Sequence, residues 1–462
     1  MELTMPGPPD RREQAQPAHT PPLHTPPLHT PPLHTPPLQT PPLQTPPLQT
    51  RHDRGGLPGT ALTLIHTGQA PTRSALTAAL GVTRATAGAV TGELRDLGLI
   101  QVDTGTRAGT QGRPSHGLAI DPGGPVALAA QLHPDGFAVA LVGLGGRIVA
   151  ETSRQVPAAG DPARALAPLA AAGAGLLAQS GRVCVGAALA VPSAVSEPEG
   201  TAVSPLYLRW PTGAKVRDVF GGLLADQLAE HGIVGAGPAG AMTCVAVNDV
   251  NAVALAEHRH GAGRGAGYLL VVAAEHRGVG GALVLRGTLY TGSGGLSMEA
   301  GHVSVDPNGR PCPCGNRGCL NVETDAERFM AAAGLVPAQD TAVLDQAIAV
   351  LHAGYATDPR VRAAVSTLVQ HLGLGLAGLI NVVNPDRVLL GGLHKHLLLA
   401  APDQLREAVA LRSPWGRGAG VPIHPCALDH GGLIGAAELA WQPVLDDPSL
   451  VGRLAQGPPS KP

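Results

Sequence analysis

Glu299-Ala-Gly-His302 is followed, after nine residues, by Cys312-Pro-Cys314-Gly-Asn-Arg-Gly-Cys319. One imidazole and three thiols fall within eighteen positions, and half of the six cysteines of the chain are among them. Cys₃His is a closed tetrahedral ligand set for a structural Zn²⁺, so His302, Cys312, Cys314 and Cys319 are the candidate ligands. The glycines inside Cys-x-Cys-Gly-x-x-Gly-Cys stand where a chain folding around a metal needs positive φ. Glu299 lies three residues before His302, so a metal loop here can hold a carboxylate that faces a pocket.

Composition bounds the rest. At 462 residues, two or three domains are expected. Hydrophobic residues make up 44% but aromatic ones only 2%, so Ala, Val and Leu must fill the cores. A net charge of −2 excludes a globally basic nucleic-acid binder and leaves room for a local basic module. The Ala/Leu-rich runs are interrupted by Gly, Pro or charge, so no membrane partner is expected. No basic segment followed by an apolar core opens the chain, and few, clustered cysteines fit a reducing compartment; a cytoplasmic protein is expected.

Residues 19–50 repeat His/Gln-Thr-Pro-Pro-Leu. Two prolines in every five residues exclude helix and sheet, so residues 1–56 are expected to be a disordered, Pro-rich arm. Residues 57–121 read as a separate small unit. Ala61, Leu62, Leu64 and Ile65 suggest one helix, and Thr72 caps a second that Gly81 breaks. Thr83 caps a third, carrying Val90, Leu94 and Leu97. Strands at Gly98–Val102 and Ser115–Ile120 flank a Gly/Thr turn. Helices joined by a tight turn and followed by a β-hairpin describe a winged helix-turn-helix. Between Arg51 and Ile120 seven arginines face four acids, a local surplus of three positive charges. Thr83, Arg84 and Thr86 open the recognition helix and can meet base edges and phosphates, Arg73 opens the helix before it, and Arg107 and Arg113 would sit on the wing. One such module neutralises few phosphates, so a homodimer or homotetramer on operator DNA is expected.

Residues 122–440 alternate apolar strands and helices, an α/β pattern, and residues 441–462 read as a flexible tail. Strands are expected at Val126–Leu132, Phe137–Val142, Val183–Ala190, Val245–Val247, Tyr268–Ala273, Gly281–Leu285 and Arg387–Leu390. Helices are expected at Ala163–Gln179, Val216–Glu230, Asn251–His258 and Ala363–Asn381. Asn248-Asp249-Val-Asn251 follows an apolar strand. It sets a carboxylate at a strand end beside a helix start, where it can accept sugar hydroxyls or simply cap the helix.

From about Thr60 to about Ala440 the chain resembles the ROK family (repressors, open reading frames and sugar kinases). The resemblance is carried by Gly112-Arg-Pro114, Asn248-Asp-x-Asn251, Glu299-x-Gly-His302 and the Cys312–Cys319 loop. It implies two actin-like, ribonuclease-H-like lobes around a sugar cleft. It also implies that Asp249 holds the general-base position of the family's kinases, and that Asn248, Glu299 and His302 contact the sugar or sugar phosphate. The family's Gly-Cys-Leu-Glu reads Gly318-Cys-Leu-Asn321 here, so the sugar-binding acid becomes an amide. The kinases' Asp-x-Gly-x-Thr loop does not appear on the strand from Val126, and their Gly-Thr-Gly-x-Gly reads Glu275-His-Arg-Gly278-Val-Gly280-Gly281. Asp121-Pro-Gly-Gly124 reads as a linker turn. Gly391-Gly392 resembles the adenosine-side turn and equally suits strand-helix packing. The sugar and zinc parts persist where the nucleotide parts fail. The expectation is therefore a sugar-responsive repressor with a structural zinc, and the alternative is an ATP-dependent sugar kinase fused to a DNA-binding head.

Overall fold

The structure is a computed structural model describing residues 56–103, 116–233, 242–338, 342–414 and 420–455. The Pro-rich repeat, Arg107 and Arg113 lie outside the described residues. The head has three helices, α1 (Leu57–His66), α2 (Arg73–Leu80) and α3 (Arg84–Asp96). Thr72 accepts the Ala75 N–H at 3.1 Å to start α2, which ends at Gly81 with φ 64°. Thr83 accepts the Thr86 N–H at 3.2 Å to start α3. Strands β1 (Ile100–Asp103) and β2 (Gly117–Ile120) pair antiparallel behind them.

The first lobe contains β3 (Val126–His133), β4 (Gly136–Gly143), β5 (Arg147–Arg154), α4 (Pro162–Ser180) and β6 (Cys184–Val191). A short hairpin of β7 (Val195–Ser196) and β8 (Thr201–Ala202), then α5 (Val216–Glu230), β9 (Cys244–Asn248) and α6 (Asp249–His260), complete it. The second lobe holds β10 (Tyr268–Glu275), β11 (Gly278–Leu285), β12 (Thr288–Leu289), α7 (Leu320–Glu323), α8 (Ala326–Ala332), α9 (Val343–Gly354) and α10 (Pro359–Val383). It ends with β13 (Arg387–Gly391), α11 (Gly392–Ala400), α12 (Pro402–Ala410) and β14 (Ile423–Pro425). Helices α13 (Gly431–Asp446) and α14 (Leu450–Ala455) return to the first lobe.

The two main sheets run β5-β4-β3-β6-β9 and β12-β11-β10-β13-β14. Each is an antiparallel meander whose first strand pairs on its other side with a parallel strand, which pairs in turn with a second, so one five-strand plan is used twice. Every residue of β6 is buried, as expected of a strand covered on both faces. Helices α4 and α5 pack on one face of the first sheet, and α13 on the other. The seven strands and four helices expected from sequence all appear. Edge strands β5 and β14 carry too little apolar pattern to have been marked.

Two expectations need correction. Residues 441–462 do not begin as a tail: α13 runs on to Asp446, and Trp441, Val444, Leu445 and Val451 are buried. The head is also not separately cored. Ala61, Leu62 and Ile65 of α1 join Leu433, Ala437 and Trp441 of α13 in one apolar cluster. Among the described helices, α10 alone is long and apolar enough to cross a bilayer, with mean hydropathy 1.5 in its best window. Its apolar face nevertheless fills the second lobe's core.

Glu438 of α13 lies fully buried where the head, the first lobe and α6 meet. Its carboxylate is held by His66 Nε2 at 2.8 Å, His260 Nε2 at 2.8 Å and Arg259 Nη1 at 2.5 Å. The Gly145 N–H donates to His66 Nδ1 at 2.8 Å, which leaves the His66 proton on Nε2, aimed at Glu438. That tautomer makes the cluster an ion-pair node rather than a cation site, since Nε2 has no free lone pair for a metal. Burial alone would raise the Glu438 carboxyl, but His66, Arg259 and His260 override it and hold it well below its usual 4.5. A carboxyl depressed in the fold adds stability above its unfolded value and loses it as pH falls through the folded one. Glu438→Gln should therefore be less stable near neutrality in urea titrations, and should decline less steeply than wild type below about pH 4.5. Trp441, fully buried with its Nε1–H on Val142 O at 3.0 Å, should cost about 3–5 kcal/mol on change to Ala in the same titrations.

Candidate functional site

Between the lobes, one cleft is lined by Asn248, Asp249, Glu299, His302 and Asn321, the residues singled out in the sequence. They arrive on three pieces of backbone, Asn248–Asp249, Glu299–His302 and Asn321. Strand β9 ends at Asn248, whose Oδ1 accepts the Asn251 N–H at 3.0 Å and caps α6. Its Nδ2 donates to Ser193 O at 3.2 Å, so this amide is committed to support. Asp249 is the first residue of α6, with Oδ1 on the Val250 N–H at 2.8 Å. Burial, followed by the charge of Glu275, pushes its carboxyl up to about 7. A group poised there can take a proton from a hydroxyl. Burial also raises Glu299.

Asn321 is 2% exposed and turned inward. Its Oδ1 accepts the Val279 N–H at 2.8 Å, and its Nδ2 donates to the Tyr207 hydroxyl. The amide that replaces the family's acid therefore braces β11 and Tyr207 at the cleft wall. Glu323 faces elsewhere: its Oε1 accepts the Arg310 N–H at 2.7 Å at the base of the cysteine loop.

His302, Cys312, Cys314 and Cys319 converge, with all four donor atoms within 4.8 Å of one another. Cys312 Sγ lies 3.7 Å from His302 Nδ1, and Cys314 Sγ lies 3.7 Å from Cys319 Sγ. A zinc tetrahedron with bonds of about 2.3 Å to sulfur has edges of roughly 3.8 Å, so the donor set fits that ion. Nδ1 faces the thiols while Nε2 faces Glu299 Oε2 at 3.9 Å, so one ring joins the metal loop to the cleft. Gly318 closes the loop at φ 58°, where a Cβ would lie 1.6 Å from Asp306 O.

The hairpin tips of the two lobes meet beside the cleft. His133, ending β3, stacks on His276 of the β10–β11 turn with ring centroids 3.9 Å apart and planes 3° apart. Arg277 Nε reaches Asp135 Oδ1 at 3.1 Å across the same seam. Burial, then the neighbouring His133, lowers His276 to about 3, so the stack is neutral. These side chains stand on the two turns where the family resemblance would set the kinases' nucleotide loops, whose motifs this sequence lacks. Gly391-Gly392 serves packing: a Cβ on Gly391 would lie 2.8 Å from the Ala273 Cβ. Asp121 Oδ1 accepts the Gly123 N–H at 2.8 Å, a local turn as expected for a linker.

On the head, Thr83 and Arg84 are exposed at the start of α3 and Thr86 is half-buried. Arg73 is also half-buried, and its Nε has no partner among the described residues. Sequence reasoning missed Tyr207, His133 and Asn251 as parts of the cleft or its seam, and treated Glu275 only as a failed phosphate loop. Tyr207 sits in an irregular stretch with no periodicity to mark it. An acid ending an apolar strand, Glu275, was a signal that could have been read.

Residues 238–442 match the model of the ROK family. A glucokinase of Halalkalibacterium halodurans is 34% identical over 156 residues, covering 31% of this chain and 47% of the relative. The DNA-binding transcriptional dual regulator NagC of Escherichia coli K12 is 29% identical over 213 residues, covering 44% of this chain and 52% of the relative. The chain thus spans about half the length of the curated relatives it matches. A ROK family transcriptional regulator, a homologue of Escherichia coli Mlc, superposes with a TM-score of 0.64 at 22% identity, over 87% of this chain and 98% of that one. A ROK family glucokinase from Streptomyces griseus superposes at 0.57 and 22%, over 69% and 99%. These likenesses show a mixed α/β fold shared by ROK regulators and sugar kinases. Residues 238–442 therefore carry a ROK family domain.

Proposed function

We propose that the chain is a sugar-responsive, DNA-binding transcriptional regulator, a repressor that acts as a homodimer or homotetramer. The head reads an operator through Arg84, Thr83 and Thr86 on α3, with Arg73, Arg107 and Arg113 on the backbone. A sugar enters the cleft and meets Asp249, Glu299 and His302, while a structural Zn²⁺ on His302, Cys312, Cys314 and Cys319 orders the last two. The observation that carries the reading is the path of α6. Its first residue is Asp249 in the cleft, and its last turn holds Arg259 and His260 on Glu438, which also grips His66 of the head. A ligand that favours one setting of α6 is thereby coupled to the head, by as much as it discriminates between the two settings.

Sugar kinase activity is the second reading. Asp249, raised to about 7, suits a general base, and glucokinases are among the relatives. Against it stand the His133–His276 stack and Glu275, which place bulk and acid on the turn that would cradle phosphates. A coupled assay of ATP consumption on a hexose panel decides between the two. Turnover at ordinary enzymatic rates that disappears in Asp249→Asn would establish the kinase.

Three outcomes are expected of the regulator. Purified protein should hold one zinc per chain by atomic emission. Cys314→Ser should lower that content and abolish the sugar-dependent change in operator affinity. Arg84→Ala should weaken operator binding by about 1–3 kcal/mol if it reads a base, or reduce the salt slope by about 1 per head if it reads a phosphate, in fluorescence anisotropy titrations. A wild type that ignores DNA at low salt would refute the reading.

A further inference from the structure

The cleft is far richer in acceptors than in free donors. Asp249 is buried and Glu275 half-buried at its floor, and Glu299 stands on its wall. Close packing brings these acids together. A Cβ on Gly280 would lie 2.5 Å from Val250 Cγ2, and one on Gly281 would lie 2.5 Å from the Ala300 Cβ. Strand β11 is therefore pressed directly against the neighbours of Asp249 and Glu299, while its partner β10 ends in Glu275. The Glu275 carboxyl lies against the Gly391-Gly392 turn, its Oε1 3.2 Å from where a Gly391 Cβ would be. The cationic side chain lining this cleft, Arg277, is turned to Asp135 at 3.1 Å.

A second, independent feature points the same way. Asn251 is 8% exposed, lines the same cleft, and its Oδ1 has no hydrogen-bond partner among the described residues. A buried acceptor left alone costs free energy until a donor reaches it. Buried acids near one another favour a positive charge placed among them and disfavour a phosphate.

Resting on the sugar-binding reading above, we propose that the cleft recognises an amine-bearing sugar in its cationic form, the ammonium seated among Asp249, Glu275 and Asn251, and rejects phosphorylated sugars. Glu275 is the specificity-determining residue of this site. It stands on the turn that resembles a phosphate loop and reverses the charge preference of that turn. The hydroxyls of the sugar fall to Glu299 and to the remaining acceptors of the wall.

The test is calorimetric titration of the full chain, loaded with zinc, with glucosamine, glucose, N-acetylglucosamine and glucose 6-phosphate, below the amine's pKa. Glucosamine should bind roughly tenfold or more tighter than its N-acetylated form, and glucose 6-phosphate weakest. Glu275→Gln, checked for an unchanged melting temperature and zinc content, should narrow the ratio of glucosamine to N-acetylglucosamine affinity to within about threefold. Equal binding of the amine and its acetamide by wild type, or an unchanged ratio in Glu275→Gln, would overturn the proposal and leave a sugar-responsive regulator standing. Binding of none of the four, with operator binding also insensitive to them, would take both readings down together.

Discussion

Glu438 holds the molecule together as a single mechanical object. A fully buried carboxylate is costly unless it is paired, and this one is paired three ways, by His66, Arg259 and His260. Each partner belongs to a part with its own task. His66 ends the first helix of the head, and Arg259 and His260 end the helix that starts at the cleft floor. Removing one partner leaves charge uncompensated in a dry interior, so the three parts are constrained to keep their relative setting or to move as alternatives. Around this node, cores built mainly from Ala, Val and Leu supply close contact without large rings, in keeping with an aromatic content of 2%.

The cleft and the metal loop share a similar economy. His302 turns one nitrogen to the thiols and the other to Glu299, so the order of the loop is passed to the cleft through a single ring. Asn321 and Glu323 lie two residues apart and brace different things, the first β11 and Tyr207, the second the base of the cysteine loop. The amide at position 321 is thus committed to bracing its surroundings. Asn321 donates to the Tyr207 hydroxyl while accepting from the Val279 N–H.

Much of this was legible in the sequence where chemistry is local. The Cys312–Cys319 spacing, Thr72 and Thr83 as caps, and the strand-to-helix step at Asn248–Asp249 are all short-range patterns, and the structure puts each where its residue types require. What could not be read depends on contacts between distant residues. Glu438 and His66 are separated by 372 positions, and nothing near either marks the other. Strand β5 is half-exposed and weakly patterned, and α13 read as the approach to a tail because its partner surface is built by strands β3 and β6 some 250–300 residues earlier. Glu275 was read as the absence of a motif, although its burial gives it a character of its own.

The shared core of α1 and α13 has a consequence for how such a protein can be taken apart or recombined. Cutting the chain after residue 121 would uncover the apolar flank formed by Leu433, Ala437 and Trp441, and would strand Glu438 without His66. Neither fragment would then be a finished surface. Grafting a foreign head onto this body would require transplanting its cover for α13 as well. Head and body are therefore expected to diverge in step rather than be exchanged as loose cassettes.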